Sequence, residues 1–246
     1  MQVCFARSFP KTLEFPNSNE DCFCVRENRR VVLCDGASES FDAQTWAQLL
    51  AEQFANEPLI TVEWVERAAV TYRSKFETGA LSWAKQAAFE RGSFSTLLAI
   101  ECAEEDQAIN ILAVGDSTAF LVEDGAIKAS WPYTDPQQFS ERPVLLSTNS
   151  ELNGFVADPD FDLTHRTRWD IGGLNNPLIL CVTDAVGQWI LQLVRDNDRS
   201  WEQLLTMRSL DELGYLVLSE RNAKRMRVDD STVIVLKPSS GDVRQQ

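Results

Sequence analysis

The sequence predicts an α+β domain. Two features carry that prediction: the apolar residues switch between a helical and a strand period along the chain, and the helical stretches fall in pairs between strand-rich runs. At 246 residues the chain can bury one sizeable core, and no Pro, Ser or Gly-rich linker divides it. A single domain over residues 1–246 is therefore expected.

Val31, Val32, Leu33 and Cys34 form a β-branched, apolar run that stops at Asp35-Gly36 and reads as a buried strand. Trp46, Leu49, Leu50 and Phe54 then recur at helical spacing, and that helix ends before Pro58. A second helix is expected over 61–76, with Trp64, Val65, Ala68 and Tyr72 on one face, and a third piece over 82–90 after Gly79. From Phe94 the period becomes that of sheet. Residues 95–101 and 108–114 read as strands, and 119–123 pairs with 126–130 across an Asp124-Gly125 hairpin turn. Residues 131–176 are rich in Pro, Asn, Asp and Gly and have little periodicity, so an irregular surface excursion is expected there. The run Leu178-Ile179-Leu180-Cys181-Val182-Thr183 leads into Asp184, and 186–194 reads as a helix carrying Trp189, Ile190 and Leu193. Ser200 with Gln203 and Ser209 with Glu212 are capping boxes that predict two helix starts, the second continuing through Leu213, Leu216 and Val217 toward Ala223. A strand over 232–236 closes the pattern.

The net charge of -14 and a pI near 4.5 argue against nucleic acid or an anionic membrane as the main partner, since both would be repelled. The six cysteines fall mostly in apolar, strand-like runs, and Cys22-Phe23-Cys24 has neither a second Cys pair nor a neighbouring His to make a zinc site. All are read as reduced. The N-terminus lacks a basic segment followed by an apolar stretch, and no run approaches the roughly 20 apolar residues that span a bilayer. A cytoplasmic location is the expectation.

The acids are more specific. Glu20-Asp21 stands beside Cys22-Phe23-Cys24, Asp35 ends the 31–34 run, Asp184 follows 178–183, and Asp229 precedes 231–236. An ionised carboxylate at the mouth of a buried strand is costly unless a cation or hydrogen bonds compensate it, so acids placed this way suggest a hard-metal site.

The order of these motifs resembles the metal-dependent Ser/Thr protein phosphatases of the 2C type (PP2C, or PPM family), in particular the compact bacterial members. The blocks are Asn19-Glu20-Asp21, Asp35-Gly36, Gly92-Ser93-Phe94-Ser95-Thr96, Gly115-Asp116-Ser117, Thr183-Asp184-Ala185 and Asp229-Asp230-Ser231-Thr232, in family order across nearly the whole chain. The resemblance sharpens the fold to a four-layer α-β-β-α sandwich of two antiparallel sheets flanked by helices. It implies hydrolysis of phosphoserine and phosphothreonine monoesters on a phosphorylated protein, opposing a Ser/Thr kinase, through a hydroxide bridging two Mg²⁺ or Mn²⁺ ions. It further implies that Asp35 bridges the metals, the Gly36 carbonyl binds the first, Asp184 and Asp229 hold the second, Glu20 and Asp21 complete the cluster, and Asp116 marks a weaker third metal. By the same resemblance the 131–176 excursion lies near the cleft and selects substrate.

Some positions depart from the family. Pro16 stands where many relatives have an Arg that grips the substrate phosphate, which leaves Arg7, Lys11, Arg221, Lys224, Arg225 and Arg227 as candidates for that role. Ala37 replaces a His found in eukaryotic relatives, Ala185 replaces Gly, and Asp230 replaces Asn. Two other readings compete. One is a GDS-type serine esterase built on Gly115-Asp116-Ser117 with Asp162-Leu163-Thr164-His165. The other is a phosphatase-like binding or regulatory module with weak or no turnover. The sequence leaves the oligomeric state open.

Overall fold

A computed structural model describes residues 1–26, 29–103 and 107–238. In chain order its strands and helices are β1 (Gln2–Phe9), β2 (Asp21–Arg26), β3 (Arg30–Asp35), α1 (Ala43–Asn56), α2 (Val62–Arg73), α3 (Trp83–Arg91), β4 (Phe94–Ser95), β5 (Leu97–Ala103), β6 (Ala108–Val114), β7 (Thr118–Glu123), β8 (Ala126–Trp131), β9 (Leu146–Ser147), α4 (Phe161–His165), β10 (Arg166–Asp170), β11 (Leu178–Val182), α5 (Asp184–Arg195), α6 (Leu210–Asn222) and β12 (Ser231–Lys237). Two five-stranded sheets dominate, ordered β1-β12-β11-β7-β8 and β10-β6-β5-β3-β2, and every ladder in them is antiparallel.

The alternation along the central strands explains why these run apolar without interruption. Val31 and Leu33 of β3 join Ile179 and Cys181 of β11 and Ile234 and Leu236 of β12 in a core between the two sheets. Their neighbours point the other way. Val32 and Cys34 pack against Trp46, Leu50 and Phe54 of α1 and Trp64 of α2, while Leu180, Val182, Val233 and Val235 pack against Trp189 of α5 and Leu213 and Val217 of α6. A strand covered on both faces needs apolar side chains at consecutive positions. The layers are therefore helices, sheet, sheet, helices, as expected.

Several elements correct the sequence reading. The 95–101 strand is split at Thr96 into β4 and β5. The 131–176 stretch is not simply irregular: it contributes β9 to a small ladder with β4, and β10 to the edge of the second sheet, beside β6. Its Phe139, Leu146, Val156 and Phe161 are buried. The Ser200 capping box does not form, because Asp198 accepts from both the amide and the hydroxyl of Ser200 and only a 3-10 turn over Ser200–Thr206 follows. The second start is real, with the Ser209 hydroxyl accepting from the Glu212 amide at 3.2 Å. The Asp124-Gly125 turn forms with both φ angles positive, at 50° and 73°, as a tight hairpin requires. No described helix is long and apolar enough to cross a membrane, and the six cysteines are free.

Candidate metal centre

Strand ends from both sheets meet at one end of the sandwich, and the acids sit there. Asp21 opens β2 and Asp35 closes β3, directly opposite one another in the antiparallel register. Gly36 then leaves the strand so close to its neighbours that an added Cβ would lie 2.8 Å from the Ala43 carbonyl and 2.9 Å from that of Glu20. Only glycine fits that approach. Asp35 is pinned through its backbone: its amide donates to Thr96 Oγ1 at 2.9 Å and its carbonyl accepts from the Thr96 amide at 2.9 Å and the Ser95 hydroxyl at 2.9 Å. From the facing sheet, Asp184 begins α5, where a carboxylate also suits the helix dipole. Asp229 lies just before β12, and Asp116 follows Gly115 in the turn between β6 and β7.

Asp35, Gly36, Asp116, Asp184 and Asp229 line one pocket of about 310 Å³. Its wall also includes Phe139, Glu141, Pro143 and Leu145, so the 131–176 stretch borders the site. Asp21 stands behind, its Oδ2 accepting from the hydroxyls of Thr232 at 2.6 Å and Thr183 at 3.1 Å. Those two threonines had no assigned role in the sequence reading, although both lie inside the motifs that it used.

The electrostatics are those of crowded like charges. Burial, followed by the neighbouring charges of Asp21 and Asp184, holds the Asp35 carboxyl well above the usual carboxylate range. Burial also raises Asp21, where the hydrogen bonds from Thr232 and Thr183 work the other way. Burial and the Asp184 charge push Asp116 up to about 7. Asp229 is raised by burial and by Asp184.

Two carboxylate oxygens, Asp21 Oδ1 and Asp184 Oδ1, are buried with no hydrogen-bond partner among the described residues. Together with lining donors that are all oxygens, they fit a hard divalent cation and not a thiophilic one. The pocket is not closed around an ion as it stands. Among the described residues no group of three or more Asp, Glu, His or Cys side chains converges at ligating spacing. Asp184 instead pairs with Arg227 through Oδ2, and Glu20, which does not line the pocket, bonds Lys11 at 2.6 Å and the hydroxyl of Ser38 at 2.6 Å. The site thus gathers Asp35, Gly36, Asp116, Asp184 and Asp229, backs them with Asp21, and leaves Glu20 outside.

Asp230 has a different task. Buried at 3% exposure, it accepts the Lys11 amide on Oδ1 at 2.7 Å and the Glu20 amide on Oδ2 at 2.8 Å, fastening the segment between β1 and β2 to the start of β12. An Asn, with one acceptor oxygen, could satisfy only one of those amides well.

The esterase reading fails on geometry. Ser117 is 1% exposed and its hydroxyl is bonded to Thr96 Oγ1 at 2.8 Å. His165 donates from Nδ1 to the Ala113 carbonyl at 3.0 Å and packs on Phe155 and Phe161.

No protein-family profile matches the chain, and no curated protein sequence matches it. Solved structures do. The catalytic domain of the serine/threonine protein phosphatase PstP, solved with two manganese ions, superposes with a TM-score of 0.56 at 17% identity, covering 96% of this chain and 97% of that one. The serine/threonine phosphatase Stp1 from Staphylococcus aureus gives 0.55 at 16% identity, over 98% and 96% of the two chains. The photosystem II phosphatase PBCP gives 0.58 at 12% identity, over 98% and 99%. The chain has the α-β-β-α fold of the PP2C-type phosphatases, matched over nearly its whole length.

Proposed function

We propose that the protein is a metal-dependent phosphoprotein phosphatase that hydrolyses phosphoserine and phosphothreonine monoesters. The observation that carries this reading is the convergence, in a phosphatase fold, of Asp35, Asp116, Asp184 and Asp229 on one pocket. Asp35, Asp184, Asp229 and the Gly36 carbonyl would hold two Mg²⁺ or Mn²⁺ ions, Asp21 would support them from behind, and Asp116 would serve a third. Bound there, such ions supply a hydroxide nucleophile at neutral pH and absorb the charge of the transferring phosphoryl group. The chain's own part is to fix the Asp35 backbone on Thr96, to orient Asp21 through Thr183 and Thr232, and to wall the pocket with Phe139 and Leu145 against bulk water. Glu20 would have to leave Lys11 to join the cluster.

In this reading the chain works as one domain in the cytoplasm, on phosphorylated protein produced by a Ser/Thr kinase. The deciding experiment is hydrolysis of p-nitrophenyl phosphate and of a phosphoserine peptide with Mn²⁺, with Mg²⁺ and with EDTA. Metal-dependent release of phosphate is expected. A folded protein that binds Mn²⁺ yet turns over neither substrate would favour a binding module instead. That alternative draws on one specific observation: Asp184 and Glu20 already have cationic partners in Arg227 and Lys11.

A further inference from the structure

We propose that Arg227 is the cation that binds the phosphate oxygens of the substrate, held on Asp184 until that carboxylate turns to a metal ion. The inference rests on the phosphatase reading above and adds to it the residue that takes over from the Arg replaced by Pro16.

The other basic candidates are committed elsewhere or lie outside the pocket. Arg7 is exposed and donates to the Ala6 carbonyl. Lys11 bonds Glu20 and Ser38. Arg221 spends its guanidinium on the carbonyls of Pro10, Lys11 and Asp229 and on the Ser231 hydroxyl, tying chain ends together. Arg225 pairs with Glu220 at 2.5 Å. Lys224 lines a neighbouring cleft and not the acidic pocket.

Among the described residues Arg227 is the one basic residue lining the acidic pocket, and it lines the adjoining cleft of about 620 Å³ as well. It stands at the junction of the two, with its side chain 42% exposed. Its charge is felt by Asp116 as well as by Asp184. A guanidinium has five donors in a rigid fork suited to phosphate oxygens, and the contact with Asp184 Oδ2 leaves most of them available. Without metal it neutralises Asp184. Once Asp184 is engaged, the fork faces the pocket where a phosphate ester would sit.

The test compares wild type with Arg227→Ala and Arg227→Lys, with melting temperatures recorded to confirm that each is folded. Three quantities are read: Mn²⁺ affinity by calorimetry, inhibition by inorganic phosphate, and KM for p-nitrophenyl phosphate. In Arg227→Ala both phosphate inhibition and KM should weaken by roughly 10- to 100-fold, the loss expected for a charge-assisted hydrogen bond. Mn²⁺ should meanwhile bind at least as tightly as in wild type, because Asp184 has lost its competing partner. Arg227→Lys should recover only part of the phosphate affinity. Unchanged phosphate inhibition in Arg227→Ala overturns the proposal. So does a loss of Mn²⁺ affinity in parallel with phosphate affinity, since that marks a merely structural role. A wild-type protein that neither binds Mn²⁺ nor hydrolyses phosphomonoesters removes the phosphatase reading itself, an outcome distinct from either of these.

Discussion

Asp21 and Asp35 face each other across the β2–β3 ladder, two acids in register where like charges oppose folding. Removing one should relieve the metal-free protein while disabling it. Asp35→Asn is expected to cost roughly 10²- to 10³-fold in Mn²⁺-dependent turnover. In EDTA its melting temperature should equal or exceed that of wild type. A variant that melts well below wild type in EDTA would show that Asp35 is needed for the fold instead.

Metal should stabilise what repulsion destabilises. Mn²⁺ added to the wild-type protein is expected to raise the melting temperature in a concentration-dependent way, the stabilisation reaching about 2.7 kcal/mol at a hundredfold excess over Kd. Asp184→Asn and Asp229→Asn should blunt that rise, and EDTA should reverse it. Differential scanning fluorimetry over a Mn²⁺ series reads all three.

Asp116 gives the pH dependence its sign. Its folded pKa of about 7 lies above the ordinary value of 3.8, so the folded protein keeps a proton that the unfolded chain releases. That contribution is fully present below pH 3.8 and is lost as pH rises through 7. In EDTA, wild type should therefore lose stability relative to Asp116→Asn between pH 4 and pH 8, as measured by urea unfolding at each pH. A constant difference between the two proteins would contradict the assignment.

Asp230→Asn tests the fastening of the segment before β2. One of the two amides, Lys11 or Glu20, would lose its acceptor and face an NH₂ group. The expected cost is about 1–3 kcal/mol by chemical denaturation. Little or no change would mean that the segment is held by other contacts.

Ser117→Ala separates structure from chemistry. It should lower stability by about 1 kcal/mol through its bond to Thr96, yet leave phosphatase turnover within a few-fold of wild type. Abolished turnover in a folded variant would reopen the nucleophile question.

The fold was most legible where strands are covered on both faces. Strands β3, β11 and β12 have neighbours on both sides and helices or the facing sheet above and below, and they show as unbroken apolar runs over 31–34, 178–182 and 233–236. Three edge strands, β1, β2 and β10, had no such signature. In Arg166–Asp170 only Trp169 is buried, and a charged edge strand reads as loop. β8 is also an edge, but its Asp124-Gly125 turn announced it.

The motifs singled out the acids of one pocket: Asp35, Asp116, Asp184 and Asp229 line it together. The pairing of Glu20 with Lys11 and of Asp184 with Arg227 was not foreseen, because an ion pair between side chains nine or forty-three positions apart leaves no trace in local periodicity.

The first strand of the chain is hydrogen-bonded to the last, and that last strand sits between β1 and β11. A chain cut before 231–237 cannot complete this sheet, so Asp184 and Asp229 lose the strand that joins them in one frame. Such a product would carry every acid of the pocket and keep Asp35 on its own ladder, yet the acids of the two sheets would no longer be fixed relative to one another.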